Sequence, residues 1–97
     1  MYVDYALHVL PSQPQTVLEM KGGSGLIVFW LAAIPNTYQV NAFQAVARVF
    51  DSNGTLKHVA GVASSVDGVW LTTHMADGDS LGVEASSGGM GTALVRL

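Results

Sequence analysis

Short runs of alternating apolar and polar residues, separated by turn-forming residues, fill most of this chain. Alternate side chains of a β-strand point to opposite faces, so a period of two predicts strands with one buried face. On this basis we predict eight strands, at residues 2–9, 16–20, 26–33, 40–50, 56–63, 69–74, 81–85 and 92–97. Turn signals recur about every ten residues, which is typical of an antiparallel β-sandwich or jelly roll.

The length of the chain predicts a single β-sandwich domain over residues 1–97. A chain of this size buries roughly two-thirds of its unfolded surface, which is enough for one hydrophobic core. No internal repeat or composition shift marks a second domain. The fold class that follows is all-β, with one sandwich of about eight short strands.

The fourth predicted strand fits two patterns. Phe43, Val46 and Phe50 have helical spacing, although the same stretch also alternates with a period of two. The Asn53-Gly54 pair that follows accepts the positive φ angles of a type I′ hairpin, and a hairpin needs a strand on each side. We therefore predict a strand over residues 40–50. A helix there would instead indicate an α+β interaction domain.

Charged residues are scarce, and this scarcity bears on assembly. Only 11% of the residues are charged and 49% are hydrophobic, with a net charge of −3 and a mean hydropathy of +0.38. Strand faces left outside the core then have little charge to keep them in water, so we expect contacts between copies of the chain. The strands at 26–33 and 92–97 are the most apolar. The expected contact residues are Leu26, Val28, Trp30, Leu94, Val95 and Leu97.

Several classes of function are disfavoured by the composition. The four scattered cations form no basic patch that would neutralise nucleic-acid phosphates. The longest apolar run, residues 26–34, is too short for a membrane-spanning helix of about 20 residues. Residues 1–9 lack the basic and apolar regions of a secretory signal, so we expect none. Cysteine is absent, which rules out disulfides and thiolate ligands and mildly favours assembly in the cytoplasm.

No catalytic, metal or cofactor motif is present. The histidines at positions 8, 58 and 74 lack the spacing of a local metal site. Asp77-Gly78-Asp79 is similar to a fragment of a calcium loop but lacks the remaining ligands, so we interpret it as a turn. The glycine segments 22–25 and 88–91 lead into strands without a lysine, which argues against a phosphate site. We expect no enzyme activity, no metal and no cofactor.

Exposed aromatic side chains give a second hypothesis. Trp70 shares a half-polar strand face with Thr72 and His74, whereas Trp30 lies in an apolar run and fits a core or subunit contact. Aromatic rings on a polar face can stack on sugars. The alternative function is therefore a small carbohydrate-binding module that uses Trp70 and His74.

The second half of the chain resembles C1q/TNF-like jelly rolls. The resemblance covers residues 53–97: an Asn53-Gly54 hairpin, an apolar strand, a Gly78-Asp79 turn, a strand at 81–85 and a closing apolar strand. The expected glycine-aromatic strand of the first half is matched only loosely by residues 25–29. The resemblance implies a compact trimer with apolar strands at the three-fold axis.

In general type, the chain also looks like bacteriophage virion components. Capsid decoration proteins and tail modules include small, cysteine-free β-proteins with few charges. This likeness implies a non-enzymatic structural protein on a virion, assembled in the host cytoplasm, that contacts copies of itself and a larger capsid or tail. We take this as the leading interpretation of the sequence.

Overall fold

The computed structural model describes residues 2–35, 43–86 and 89–97 and shows eight β-strands. The strands are β1 (Asp4–Val9), β2 (Gln15–Glu19), β3 (Gly25–Pro35), β4 (Ala45–Phe50), β5 (Leu56–Ala63), β6 (Val69–Met75), β7 (Ser80–Ala85) and β8 (Gly91–Arg96). They form two antiparallel sheets. Sheet I has the order β1-β8-β3-β6, and sheet II has the order β2-β7-β4-β5.

The pairing of the strands is that of a jelly roll. The first strand pairs with the eighth, the second with the seventh, the third with the sixth and the fourth with the fifth. This is the pattern of one long antiparallel hairpin rolled into two sheets, with the additional pairs β3–β8 and β4–β7 closing the roll. The predicted fold class, an all-β antiparallel sandwich or jelly roll, is confirmed.

The hydrophobic core lies between the two sheets. Alternate residues of each central strand point inward and are buried, as the period of two predicts. The largest of the fully buried side chains are Phe29, Leu31, Met75, Leu81, Val9, Val49, Val83 and Val95. Sheet I and sheet II both contribute to this set, so the core is shared across the sandwich.

The strand boundaries differ from the predicted ones mainly at the ends. Strand β1 begins at Asp4 rather than Tyr2, and β8 begins at Gly91, so that this glycine belongs to a strand and not to a loop. The choice of strand over helix is confirmed for Ala45–Phe50. Phe43 and Gln44 lie before the strand and not in it, and residues 40–42 of that prediction lie outside the described residues.

The β4–β5 hairpin has a different turn from the predicted type I′. Gly54 N donates to Asp51 O at 3.0 Å, and Asp51 N donates to Thr55 O at 2.9 Å. Gly54 has φ +82°, whereas the φ angle of Asn53 is not positive. A type I′ turn requires positive φ at both central residues. The prediction was therefore wrong, and the loop has three residues with glycine at its left-handed position.

Candidate functional site

The outward-facing residues of β3 and β6 form one surface, here called the outer face of sheet I. Three outward residues of β3 lie opposite three outward residues of β6 in an unbroken antiparallel register. The pairs are Leu26 with His74, Val28 with Thr72 and Trp30 with Trp70. The structure therefore brings the expected contact residues of β3 and both expected ligand residues onto the same surface.

This surface is open to solvent, and it is apolar on β3 but half-polar on β6, where Thr72 and His74 lie beside Trp70. Leu26 is 70% exposed, Val28 is 58% exposed and Trp70 is 52% exposed. The facing positions of β3 and β6 carry no Asp, Glu, Lys or Arg. Large exposed apolar side chains that adjoin one another are characteristic of interaction surfaces, whereas single ones are common on any protein.

The last predicted strand carries three expected contact residues, Leu94, Val95 and Leu97, and they do not all lie on the outer face of sheet I. Leu94 is half-buried and pairs with Ala32 of β3 on the outer face. Val95, at 1% exposed, belongs to the core, and Leu97 packs against that core from the same side of the strand. Val95 is therefore corrected to an interior position, because alternate residues of a strand face opposite ways. Leu97 is only partly buried, so its expected role in a subunit contact stays a prediction. The side chain of Val95 does not reach the outer face.

Aromatic and charged side chains cluster at one end of the outer face. The rings of Tyr2 and Trp70 have centroids 5.9 Å apart and are tilted by 48°. The guanidinium carbon of Arg96 lies 5.3 Å from the ring centroid of Tyr2 and 5.7 Å from that of Trp30. These are distances at which a cation is attracted to an aromatic face. We call Tyr2, Trp30, Trp70 and Arg96 the aromatic cluster.

Asp4 holds Arg96 in place within this cluster. Arg96 Nε donates to Asp4 Oδ1 at 2.7 Å, and Arg96 Nη2 donates to Asp4 Oδ2 at 3.0 Å. Such a two-bond pair fixes the plane of the guanidinium group. The hydrogen bonds from Arg96 lower the pKa of Asp4 below its usual value, and the bond to Asp4 raises the pKa of Arg96. The charge pair therefore persists over the whole neutral pH range.

Sequence reasoning did not find the aromatic cluster as a unit. Asp4 and Arg96 are 92 residues apart in the chain, and they meet because β1 and β8 pair with Asp4 opposite Arg96. Tyr2 precedes β1 and approaches Trp70 across the face of the sheet. The useful signal would have been the pairing of the first and last strands, since the period of two already places Tyr2 and Asp4 on the same face of the first predicted strand.

Every cation of the protein is paired with a carboxylate. The ion pairs are Lys21 with Glu19 at 3.4 Å, Arg48 with Glu84 at 2.6 Å, Lys57 with Asp79 at 2.8 Å and Arg96 with Asp4 at 2.7 Å. Because all four cations lie in described parts of the chain, these pairs account for its whole positive charge apart from histidine and the amino terminus. Each cation therefore lies beside a charge of opposite sign, and two of the partner carboxylates, Asp79 and Glu84, are buried.

Three of the candidate metal-ligating residues, His58, Asp77 and Asp79, make side-chain hydrogen bonds within the fold. His58 Nε2 lies 2.8 Å from Thr73 Oγ1, a contact that joins β5 to β6 across the sandwich. Asp77 Oδ1 accepts a hydrogen bond from Gly22 N at 2.7 Å, and Asp79 Oδ2 accepts one from Ala76 N at 2.9 Å. In residues 2–35, 43–86 and 89–97, no group of three or more His, Cys, Asp or Glu side chains could hold a metal ion. The turn interpretation of Asp77-Gly78-Asp79 is confirmed.

The fold places the chain among β-sandwich proteins of jelly-roll topology. No protein-family model matches it, and no curated protein or solved structure shows significant similarity to it. The described ranges also contain no helix long and apolar enough to cross a membrane. Jelly rolls serve many unrelated functions, so the outer face of sheet I, and not the fold, must carry a functional argument.

Proposed function

We propose that this protein is a non-enzymatic structural component of a virion surface, such as a bacteriophage capsid decoration or stabilising protein, assembled in the host cytoplasm. The observation that carries the proposal is the group of adjoining exposed apolar side chains, Leu26, Val28 and Trp70, on the outer face of sheet I. Its partners are copies of the chain itself and a larger assembly such as a capsid or tail. The resemblance to C1q/TNF-like domains makes a trimer one form that this self-assembly takes.

Burial of the outer face supplies the driving force in this proposal. Removing apolar surface from water contributes roughly 25 cal/mol per Å². Leu26, Val28 and Trp70 lose much of their water contact when a neighbour covers them. The charge pair at the edge of the face is already internally satisfied, because Asp4 and Arg96 bind each other. Covering the face therefore leaves no unpaired charge of β1 or β8 behind.

Sedimentation velocity over a range of protein concentrations tests the proposal. We expect the wild-type chain to sediment as an oligomer and the Val28→Asp variant to shift toward monomer, because a carboxylate on the outer face opposes burial. Val62→Asp is the matched control, since Val62 is an exposed valine on β5 of the other sheet. A wild-type chain that remains monomeric at micromolar concentrations contradicts self-assembly through this face.

A carbohydrate-binding module is the second candidate function, and one observation favours it. Trp70 is exposed beside Tyr2, and the Asp4–Arg96 pair supplies polar groups on the same face. An aromatic ring next to hydrogen-bonding groups is a surface on which a sugar can stack. Glycan-array binding that is lost in Trp70→Ala but retained in Leu26→Ala would support this function. Absence of binding by the wild-type chain would contradict it.

A further inference from the structure

The four edge strands of the sandwich differ in how they are protected against pairing with another chain. Sheet I ends at β1 and β6, and sheet II ends at β2 and β5. An edge strand presents unpaired backbone N–H and C=O groups, and proteins usually protect it with charges, prolines or bulges. An edge without such a feature is a site at which a further strand can add to the sheet.

Three of these edges carry a protecting feature. Strand β2 follows Pro14 and has a register shift between Thr16 and Leu18. Strand β5 has two register shifts against β4 and carries Lys57. Strand β1 carries Asp4, which is held by Arg96. Each feature bends the edge or places a charge on it, which disfavours the addition of a further strand.

Strand β6 carries none of these protecting features. Its seven residues, Val69–Met75, include no charged residue, proline or glycine. Its register with β3 runs without a shift from Gly25–Met75 to Leu31–Val69, so the strand is regular over its whole length. In the described part of the chain, no backbone hydrogen bond joins β6 residues to any strand except β3. Its other flank is therefore a regular, uncharged edge.

We propose that β6 pairs with β6 of a second copy of this chain, antiparallel and across a two-fold axis at Thr72. The inference rests on the self-assembly part of the proposed function and names a contact strand. It joins the copies in pairs, and so differs from the three-fold contact that the C1q/TNF-like resemblance implies. It joins the two copies of sheet I into one eight-stranded sheet with a continuous outer face. A two-fold contact of this kind uses the same strand from both subunits.

The sequence of β6 is compatible with itself in this register. Thr72 meets the partner's Thr72, and Trp70 lies opposite the partner's His74 on the outer face. Cross-strand pairs of threonines and of aromatic residues stabilise antiparallel sheets, and like charges opposite each other destabilise them. Since β6 carries no Lys, Arg, Asp or Glu, self-pairing places no such charges against each other. This self-compatibility favours a second copy over an unrelated extended peptide.

Disulfide formation by Thr72→Cys tests the contact directly. The chain has no cysteine, so one introduced thiol can bridge only to the same residue of another copy. Directly opposed residues of an antiparallel pair have Cα atoms about 4.5–5.5 Å apart, within the range that a disulfide spans. We expect Thr72→Cys to oxidise rapidly to a covalent dimer that a reductant reverses. Thr16→Cys on the protected edge β2 is the control and should cross-link far more slowly.

A charge-swap pair tests the register through the association equilibrium. Thr72→Lys and Thr72→Glu should each weaken dimerisation by roughly fivefold, because like charges meet at the two-fold axis. An equimolar mixture of the two variants should recover dimer. The same two substitutions at Thr16 should change neither association nor the mixing behaviour. Circular dichroism checks that every variant remains folded.

The possible results separate the two proposals. Cross-linking of Thr72→Cys no faster than that of Thr16→Cys, with no effect of charge at position 72, overturns pairing through β6. In that case, if the wild-type chain is still an oligomer and the Val28→Asp variant is still shifted toward monomer, self-assembly through the outer face stands without the β6 contact. If an added extended peptide binds at β6 while the chain alone forms no dimer, the choice of a second copy as the partner is overturned. Rapid cross-linking together with recovery of dimer on mixing supports the inference.

Discussion

The indole ring of Trp30 packs directly against Gly68, the residue that precedes β6. A Cβ atom added to Gly68 would lie 2.3 Å from Trp30 Cε2, well inside van der Waals contact. Gly68 also has φ +74°, a left-handed conformation that L side chains rarely adopt. The turn before β6 therefore requires glycine for two independent reasons. It also supports one ring of the aromatic cluster.

Gly68→Ala should destabilise the protein by roughly 2–4 kcal/mol, because a left-handed conformation and overpacking against Trp30 both oppose the new methyl group. Gly54→Ala is the matched control: Gly54 has φ +82° but nothing within 4 Å of an added Cβ. That variant should lose only about 1 kcal/mol. Urea denaturation measures both values. Equal losses would show that contact with Trp30 adds no cost at Gly68.

Neighbouring residues of β3 should respond very differently to truncation. Phe29 is fully buried in the core, whereas Val28 next to it points outward. Phe29→Ala should cost about 3–5 kcal/mol through lost burial and the cavity left behind. Val28→Ala should cost less than about 1 kcal/mol. The comparison is made by chemical denaturation at a concentration at which both variants are monomeric, and a reversed order would contradict the inward direction of Phe29.

The Lys57–Asp79 pair should make stability depend on acid pH. Hydrogen bonds from Lys57 and from Ala76 N lower the pKa of Asp79 below its usual 3.8. The ionised carboxylate therefore favours the folded state above that pH, and this contribution is lost as the pH falls through the lowered pKa. Asp79→Asn should be less stable at neutral pH and should lose less stability on acidification.

Thermal melts between pH 7 and pH 2 measure this dependence. The matched control is Asp67→Asn, because Asp67 is an exposed turn residue with no ion pair in the described structure. It should leave the shape of the pH profile close to that of the wild type. Parallel profiles for Asp79→Asn and the wild type would show that Asp79 does not stabilise the folded state through its charge.

The contact between His58 and Thr73 should couple the edges of the two sheets. Thr73 is buried and lies 2.8 Å from the imidazole nitrogen of His58. Thr73→Val should cost about 1 kcal/mol, because it removes the hydrogen bond at nearly constant shape. His58→Ala should be non-additive with it, since both variants break the same contact. Strict additivity in a double-mutant cycle would contradict the coupling.

Much of the strand pattern was predictable because it is a local property. A period of two depends only on which face of a strand meets the core, and turn residues act within a few positions. Strand β5, Leu56–Ala63, was predicted with the same ends, and β6 with the same first residue. The hairpin type was not predictable from Asn53-Gly54 alone. Asp51 favours the three-residue loop because its carboxylate accepts hydrogen bonds from Asn53 N and Thr55 N.

The outer face was predictable only in part. Alternation along the last strand already separates Leu94 from Val95 and Leu97, but it does not say which side meets the core. The pairing of β8 between β1 and β3 decides that Val95 is interior. That choice depends on contacts between residues far apart in the chain, which no local pattern contains.

By itself, the sequence determined the eight strands, the alternation of side chains between the two faces of each strand, the positions of the turns and the scarcity of charge. Only the tertiary structure decided that β3 and β6 are neighbours, so that Val28 and Trp70 share one outer face. It also decided that β6 forms a regular edge of sheet I. The physical reason is that hydrophobic alternation acts along a strand, whereas register and neighbourhood are set by backbone pairing across the sheet and by packing between the sheets.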